Sequence, residues 1–143
     1  MALFNGIDTS ASGLTAQRLR MDLISNNLAN VNTTRGENEE PYRKKMPVFA
    51  ARLQEEMDNL ANDNKRGPGN GVEVSKIRES SQPPKLVHKP EHPDADENGY
   101  VEMPNINIVS EMTDMMSASK SYQANVTAVN TSKEMVKSAL QIG

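Results

Sequence analysis

The chain has 143 residues, a net charge of −3 at pH 7, 36% hydrophobic residues, 3% aromatics and no Trp or Cys. That balance gives no electrostatic ground for binding nucleic acid or an anionic membrane, and so few aromatics argue against a large aromatic-rich core. The lack of Cys excludes disulfides, thiolate metal sites and cysteine nucleophiles.

The start, Met1-Ala2-Leu3-Phe4-Asn5-Gly6, has neither the basic nor the apolar region of a cleavable secretory signal. No run is long and apolar enough to span a bilayer, so no direct membrane insertion is expected. The chain is then either cytoplasmic or exported by a machine that needs no such signal.

Residues 1–32 read as an amphipathic helix, with Asp8, Thr9 or Ser10 as candidate caps. Ile7, Leu14, Met21 and Leu28 recur every seven residues, joined by Ile24 and Val31, which is a heptad-like stripe. Leu19 and Leu23 lie off the stripe, so a second face is apolar too. A helix with several neighbours can cover both faces, whereas a two-stranded coiled coil leaves one wet. The helix runs into Ser25-Asn26-Asn27-Leu28-Ala29-Asn30-Val31-Asn32-Thr33. Asparagine is a poor helix former, so Asn26, Asn27 and Asn30 are expected to be kept for contacts their amides make outside the isolated helix.

All eight prolines fall between residues 41 and 104, which confines long helices to the two ends. Residues 33–71 read as a linker with a strand over Tyr42 to Ala51, made an edge by Pro47, and a flexible loop from Asn62 to Gly71. Residues 72–108 read as a small β-rich outer module. Its strands begin at Val72-Glu73-Val74, cover Lys85-Leu86-Val87-His88, and follow an Asn98-Gly99 turn into Tyr100-Val101-Glu102-Met103.

Residues 109–143 form the second helix. Met112, Val126 and Leu140 make one row, interrupted by Ser119 and Lys133, and Met115, Tyr122, Val129 and Val136 make the other. Each terminal segment has zero net charge, while the other 25 charged residues lie in the middle. The fold class expected is α+β: two terminal helices paired as a coiled-coil-like hairpin, with a β-rich module between them.

The sharpest chemical motif is Asp94-Ala95-Asp96-Glu97-Asn98-Gly99, which fits the first half of a calcium loop. It fails where the bidentate Glu should stand, since that position is Asn105 beside Pro104. A polar hairpin turn is the alternative. His88 and His92 are four apart, but Pro90 between them removes the helix that would make them joint metal ligands. The clusters Arg43-Lys44-Lys45 and Lys65-Arg66 lack stacking aromatics, so they read as solvated. No Gly-rich phosphate loop or triad spacing is present. No enzyme, cofactor or metal is expected.

The Asn-rich run resembles the N-terminal signature shared by the rod and hook proteins of the bacterial flagellum. Glu111-Met112 through Ser121-Tyr122-Gln123-Ala124-Asn125 to Lys133-Glu134-Met135 resembles the signature at their other end. Within that group the chain is most similar to the proximal rod type of the basal body. The residues carrying this are Asn32-Thr33-Thr34-Arg35, Pro41-Tyr42-Arg43-Lys44, Gly71-Val72-Glu73-Val74, His92 to Asp96 and Asn98 to Asn105. The insertion Thr34 to Glu40, ahead of Tyr42, is a feature of that type.

The resemblance implies a non-enzymatic subunit of a drive shaft crossing the periplasm, exported through the flagellar type III apparatus. Its partners would be other rod proteins and copies of itself. Its terminal segments would fold on assembly, burying Ile7, Leu14, Met21, Ile24, Leu28, Val31, Met112, Met115, Tyr122, Val126, Val129, Val136 and Leu140. Asn26, Asn27, Asn30, Gln123 and Asn125 would set subunit orientation. Two other classes compete on the residues alone: a hairpin adaptor that binds a partner helix, and a calcium-dependent binding module.

Overall fold

A computed structural model describes residues 2–36, 39–52 and 71–142. Its elements run in the order α1 (Ala2–Ala29), β1 (Lys45–Ala51), β2 (Val72–Glu79), β3 (Lys85–His88), β4 (Tyr100–Met103) and α2 (Ile108–Ile142). The α+β class holds, with helices at the two ends and strands between. Asp8, Thr9 and Ser10 are interior to α1 rather than caps, because the helix continues back through Leu3 and Phe4 to Ala2. The expected loop from Asn62 to Asn70 lies outside the described residues.

The two helices pack antiparallel. Gly13 lies against Asn125, Arg20 pairs with Asp114 at 3.3 Å, and Asn27 bonds Glu111 at 3.1 Å. Gly13, Arg20 and Asn27 are seven apart, and Ala16 and Leu23 form a second line seven apart beside them. Ala16, Leu23, Ile24, Asn27, Glu111 and Ala118 are the buried residues of the pair. The face of α1 turned to α2 is therefore the one carrying Leu23, not the heptad stripe of Ile7, Leu14, Met21 and Leu28. These four are half-buried at the margin. Small residues at Gly13, Ala16 and Ala118 leave room for Asn125 to sit over Gly13, where a Cβ would meet its Nδ2 at 2.7 Å.

The four described strands form two separate antiparallel pairs, β1 with β2 and β3 with β4. β2 belongs to the expected outer module but pairs with β1 from the linker, so this sheet spans the boundary placed at residue 71. The register runs from Lys45 opposite Glu79 to Ala51 opposite Val72, broken by a bulge between Val48 and Phe49. Ser75 is the extra residue, and its hydroxyl donates to the Val48 carbonyl at 3.1 Å.

The β1–β2 pair lies on α1, and its far end is latched there by Ser12. The Ser12 hydroxyl donates to Thr9 O at 2.7 Å and accepts the Val72 N–H at 3.0 Å. Gly71 makes this approach possible: its φ is 113°, and a Cβ there would fall 2.2 Å from Ser12 Oγ.

The second sheet is tied on by polar contacts. Asp94 accepts from the Thr34 hydroxyl at 2.7 Å and pairs with Arg35 at 2.7 Å. Asp96 Oδ1 accepts the N–H groups of Asn98 and Tyr100 at 2.9 and 2.8 Å. Both aspartates of the calcium-like motif are thus engaged in closing the turn and anchoring it, with Gly99 at φ 78° completing the reversal. That is the polar-hairpin geometry.

Replacing Gly71 by Ala is expected to cost about 1–3 kcal/mol, from backbone strain and displacement of the Ser12 latch. Chemical denaturation should show a lowered midpoint, and Ser12→Ala should lower it less.

Candidate functional site

The two terminal helices, the first strand and the linker residue Tyr42 converge at Asn27. This residue lies in the last turn of α1 and is fully buried, at 0% exposure. An unpartnered amide there would be costly, so every hydrogen-bonding position must be filled. It is. Its Nδ2 donates to Lys45 O at 2.9 Å and to Glu111 Oε2 at 3.1 Å. Its Oδ1 accepts the Lys45 N–H at 2.9 Å and the Tyr42 hydroxyl at 3.0 Å.

Both main-chain groups of Lys45 go to this one side chain, pointing away from β2. The amide therefore stands where a third strand's peptide group would stand on the outer edge of β1. Pro47 is two residues further along the same edge, where its missing N–H costs no ladder bond. The edge strand expected from Pro47 is present.

Glu111 is the second member. It lies in the first turn of α2, whose N-terminus is capped by Asn107 Oδ1 accepting from Val109 N at 3.0 Å and Ser110 N at 3.2 Å. The carboxylate is 1% exposed and is met by three sources of positive potential or donation: the Lys44 ammonium, the Asn27 amide and the helix N-terminus. A carboxylate so buried needs such partners, and removing one leaves an uncompensated charge. Tyr42 completes the cluster. Its hydroxyl pKa is pushed above 10.0, first by burial, then by the negative charges of Glu79 and Glu111.

The Asn27 amide is saturated, and Glu111 Oε1, which accepts no hydrogen bond, meets the Lys44 ammonium as an ion pair. The side chains of the junction bond each other, although Tyr42 and Lys44 also line a small surface cavity with Glu40, Ser80 and Glu102. The junction's chemistry is positional: one amide fixes α1, α2 and β1 relative to each other. Among the described residues no group of three or more His, Asp or Glu is placed to hold a metal ion.

The asparagine run divides its work. Asn27 forms the junction, while Asn30 closes the helix by donating to Asn26 O at 2.9 Å and accepting from Thr33 Oγ1 at 3.1 Å. The Asn26 side chain is exposed. Asn125 sits over Gly13 within the chain, and Gln123 is exposed. Ile24 is buried between the helices. Ile7, Leu14, Met21, Leu28, Val31, Met115, Tyr122, Val126, Val129 and Val136 are half-buried, and Met112 and Leu140 are exposed.

Sequence reasoning did not single out Tyr42, Lys45 or Glu111 as partners of Asn27. The one available signal is Glu111 itself, an acid in a helix that carries few charges.

Asn27→Leu is expected to destabilise the isolated chain by at least about 2 kcal/mol, since the Lys45 groups and Glu111 lose their partner. Denaturation should also show stability falling as pH rises above 10. The folded state holds Tyr42 protonated after the unfolded chain has ionised, so the contribution is intact below the unfolded pKa and lost above it. Tyr42→Phe should flatten that alkaline loss.

Two family models match the chain: the flagellar basal body rod FlgEFG protein C-terminal family over residues 97–142, and the flagella basal body rod protein family over residues 7–35. The first match holds α2 and β4, the second most of α1. Full-length relatives extend the likeness. The flagellar basal-body rod protein FlgC of Borreliella burgdorferi is 47% identical over 99% of this chain and 98% of its own. The proteins of the same description from Bacillus subtilis and Salmonella typhimurium are 46% and 43% identical, each match covering 100% of this chain and 99% of the relative. The chain belongs to the flagellar basal-body rod protein family.

Proposed function

We propose that this chain is a structural subunit of the flagellar basal-body rod, polymerising through its terminal helices into the shaft that transmits motor torque. The observation that carries the reading is the mismatch between its helices and its own core. Helices of 28 and 35 residues bury only two large aliphatic side chains, Leu23 and Ile24, among the described residues of the pair. Each contributes roughly 1.5–3 kcal/mol. That is thin support for so much ordered backbone. A neighbouring helix supplies the rest.

The unused surface is coherent. Successive helical residues turn by roughly 100°, so Ile7, Leu14, Met21 and Leu28 lie about a third of a turn round α1 from its buried line. Met112, Val126 and the outer margin of Met115 and Tyr122 lie a similar rotation round α2. Because the helices are antiparallel, that rotation carries both rows to the same side of the pair, opposite the β1–β2 sheet. The heptad spacing of these rows is read as packing against neighbouring subunits, not as the seam between α1 and α2.

The partners are then other rod proteins and further copies of this chain, in a structure crossing the periplasm, reached through the flagellar type III export apparatus. No helix of the described residues is long and apolar enough to cross a membrane. The non-enzymatic reading is supported by the Asn27 junction, whose polar groups are engaged in holding the chain together. The thin core further supports terminal helices that gain order on assembly.

Leu14→Glu with Met21→Glu should leave the Asn27 junction and the folded chain intact while abolishing swimming in bacteria whose only copy carries both changes. Normal motility would show that this stripe faces solvent in the rod.

A further inference from the structure

Four of the chain's nine methionines lie on α2, and their surroundings differ sharply. Met112 and Met116 are 54% and 58% exposed, while Met115 between them is half-buried at the margin of the α1 contact. Met135 is 52% exposed. Met112 and Met116 are four apart, hence about 40° from each other around the helix, beside the exposed Ile108. Met135 lies roughly 100° from Met116 and 140° from Met112, away from that patch.

We infer that Met112 and Met116 form an oxidation-sensitive site by which peroxide blocks incorporation of the chain. The inference rests on the assembly reading given above. A thioether is oxidised according to its exposure, and the product places a polar, chiral S=O where an apolar side chain stood. In the reaction the O–O bond of a hydroperoxide breaks and one oxygen bonds to sulfur. The sulfur gives up two electrons, and the other oxygen leaves as water when hydrogen peroxide is the oxidant.

The exposed thioethers are available before neighbours cover them. Two sulfoxides one turn apart beside Ile108 must then be desolvated on assembly, and a neighbouring apolar helix offers them no donor. The folded chain itself is little disturbed, since neither side chain is in its core. Unpaired sulfoxide oxygens at the contact, rather than unfolding, are the physical cause of the block.

The molecule contains its own controls. Met115 adjoins Met116 in sequence but is half-buried, so it should oxidise more slowly. Met135 should oxidise about as fast as the pair, without consequence for assembly. The purified full chain would be treated with hydrogen peroxide, and the sulfoxide content at each position followed by mass spectrometry. Met112 and Met116 are expected to convert several-fold faster than Met115; equal rates at all three would overturn the inference.

In parallel, bacteria lacking their own copy would carry Met112→Gln with Met116→Gln, whose amides approximate the sulfoxide oxygen, or Met135→Gln. The first strain is expected not to swim, and the second to swim normally. Met112→Leu with Met116→Leu should swim and should keep building flagella at a peroxide level that stops the wild type. If the double Gln strain swims while the Leu14→Glu, Met21→Glu strain does not, assembly through the helices stands and the oxidation inference falls. If both swim, the assembly reading falls with it.

Discussion

The structure depends on one buried amide. Asn27 has two donors and two acceptor positions, and all four are used inside the chain, by Lys45 twice, by Glu111 and by Tyr42. Among the described residues no other side chain of α1 hydrogen-bonds to both α2 and the first strand. An isolated polar group in an apolar interior is destabilising, but a fully satisfied one is orientation-specific. Leucine at the same place would tolerate rotation and sliding. The amide accepts only one relation between α1, α2 and β1.

That specificity matters because the apolar contribution is small. The hairpin is lined by Gly13, Ala16 and Ala118, which bring backbones close but bury little. Arg20 and Asp114 are both partly exposed, and a pair of that kind contributes at most about 1 kcal/mol. Register therefore comes from polar matching at Asn27 and shape matching at Gly13, two heptads apart. The chain is organised to be specific first and stable second, which suits a subunit whose larger apolar rows are half-buried or exposed.

Much of this was legible in the sequence, for physical reasons that can be named. Confinement of prolines to the middle placed the helices, and alternation with Asn98-Gly99 placed β3 and β4. The value of Asn27 followed from its poor helix propensity. Its partners did not follow, because Lys45 offers only main-chain groups and a side-chain identity cannot announce them. The heptad count found a real periodicity but not its direction. Ile7, Leu14, Met21 and Leu28 score as core by hydropathy, yet the intramolecular face is the one where Gly13 and Ala16 are small. Close approach of two helices rewards small residues, and a search for large apolar ones overlooks it. Asp94 and Asp96 matched half a metal loop because turn closure and ion binding both call for clustered oxygens.

The irregular β1–β2 pair has a consequence for what this protein does not become. A two-stranded sheet has outer edges at which strands from different molecules can add to one another without limit. Here the outer edge of β1 is closed by the Asn27 amide and by Pro47, which has no N–H to offer. The bulge at Ser75 breaks the regular spacing along β2, so an incoming strand cannot stay in phase with it. The side chain that fixes α1 against α2 thus also covers the outer edge of β1.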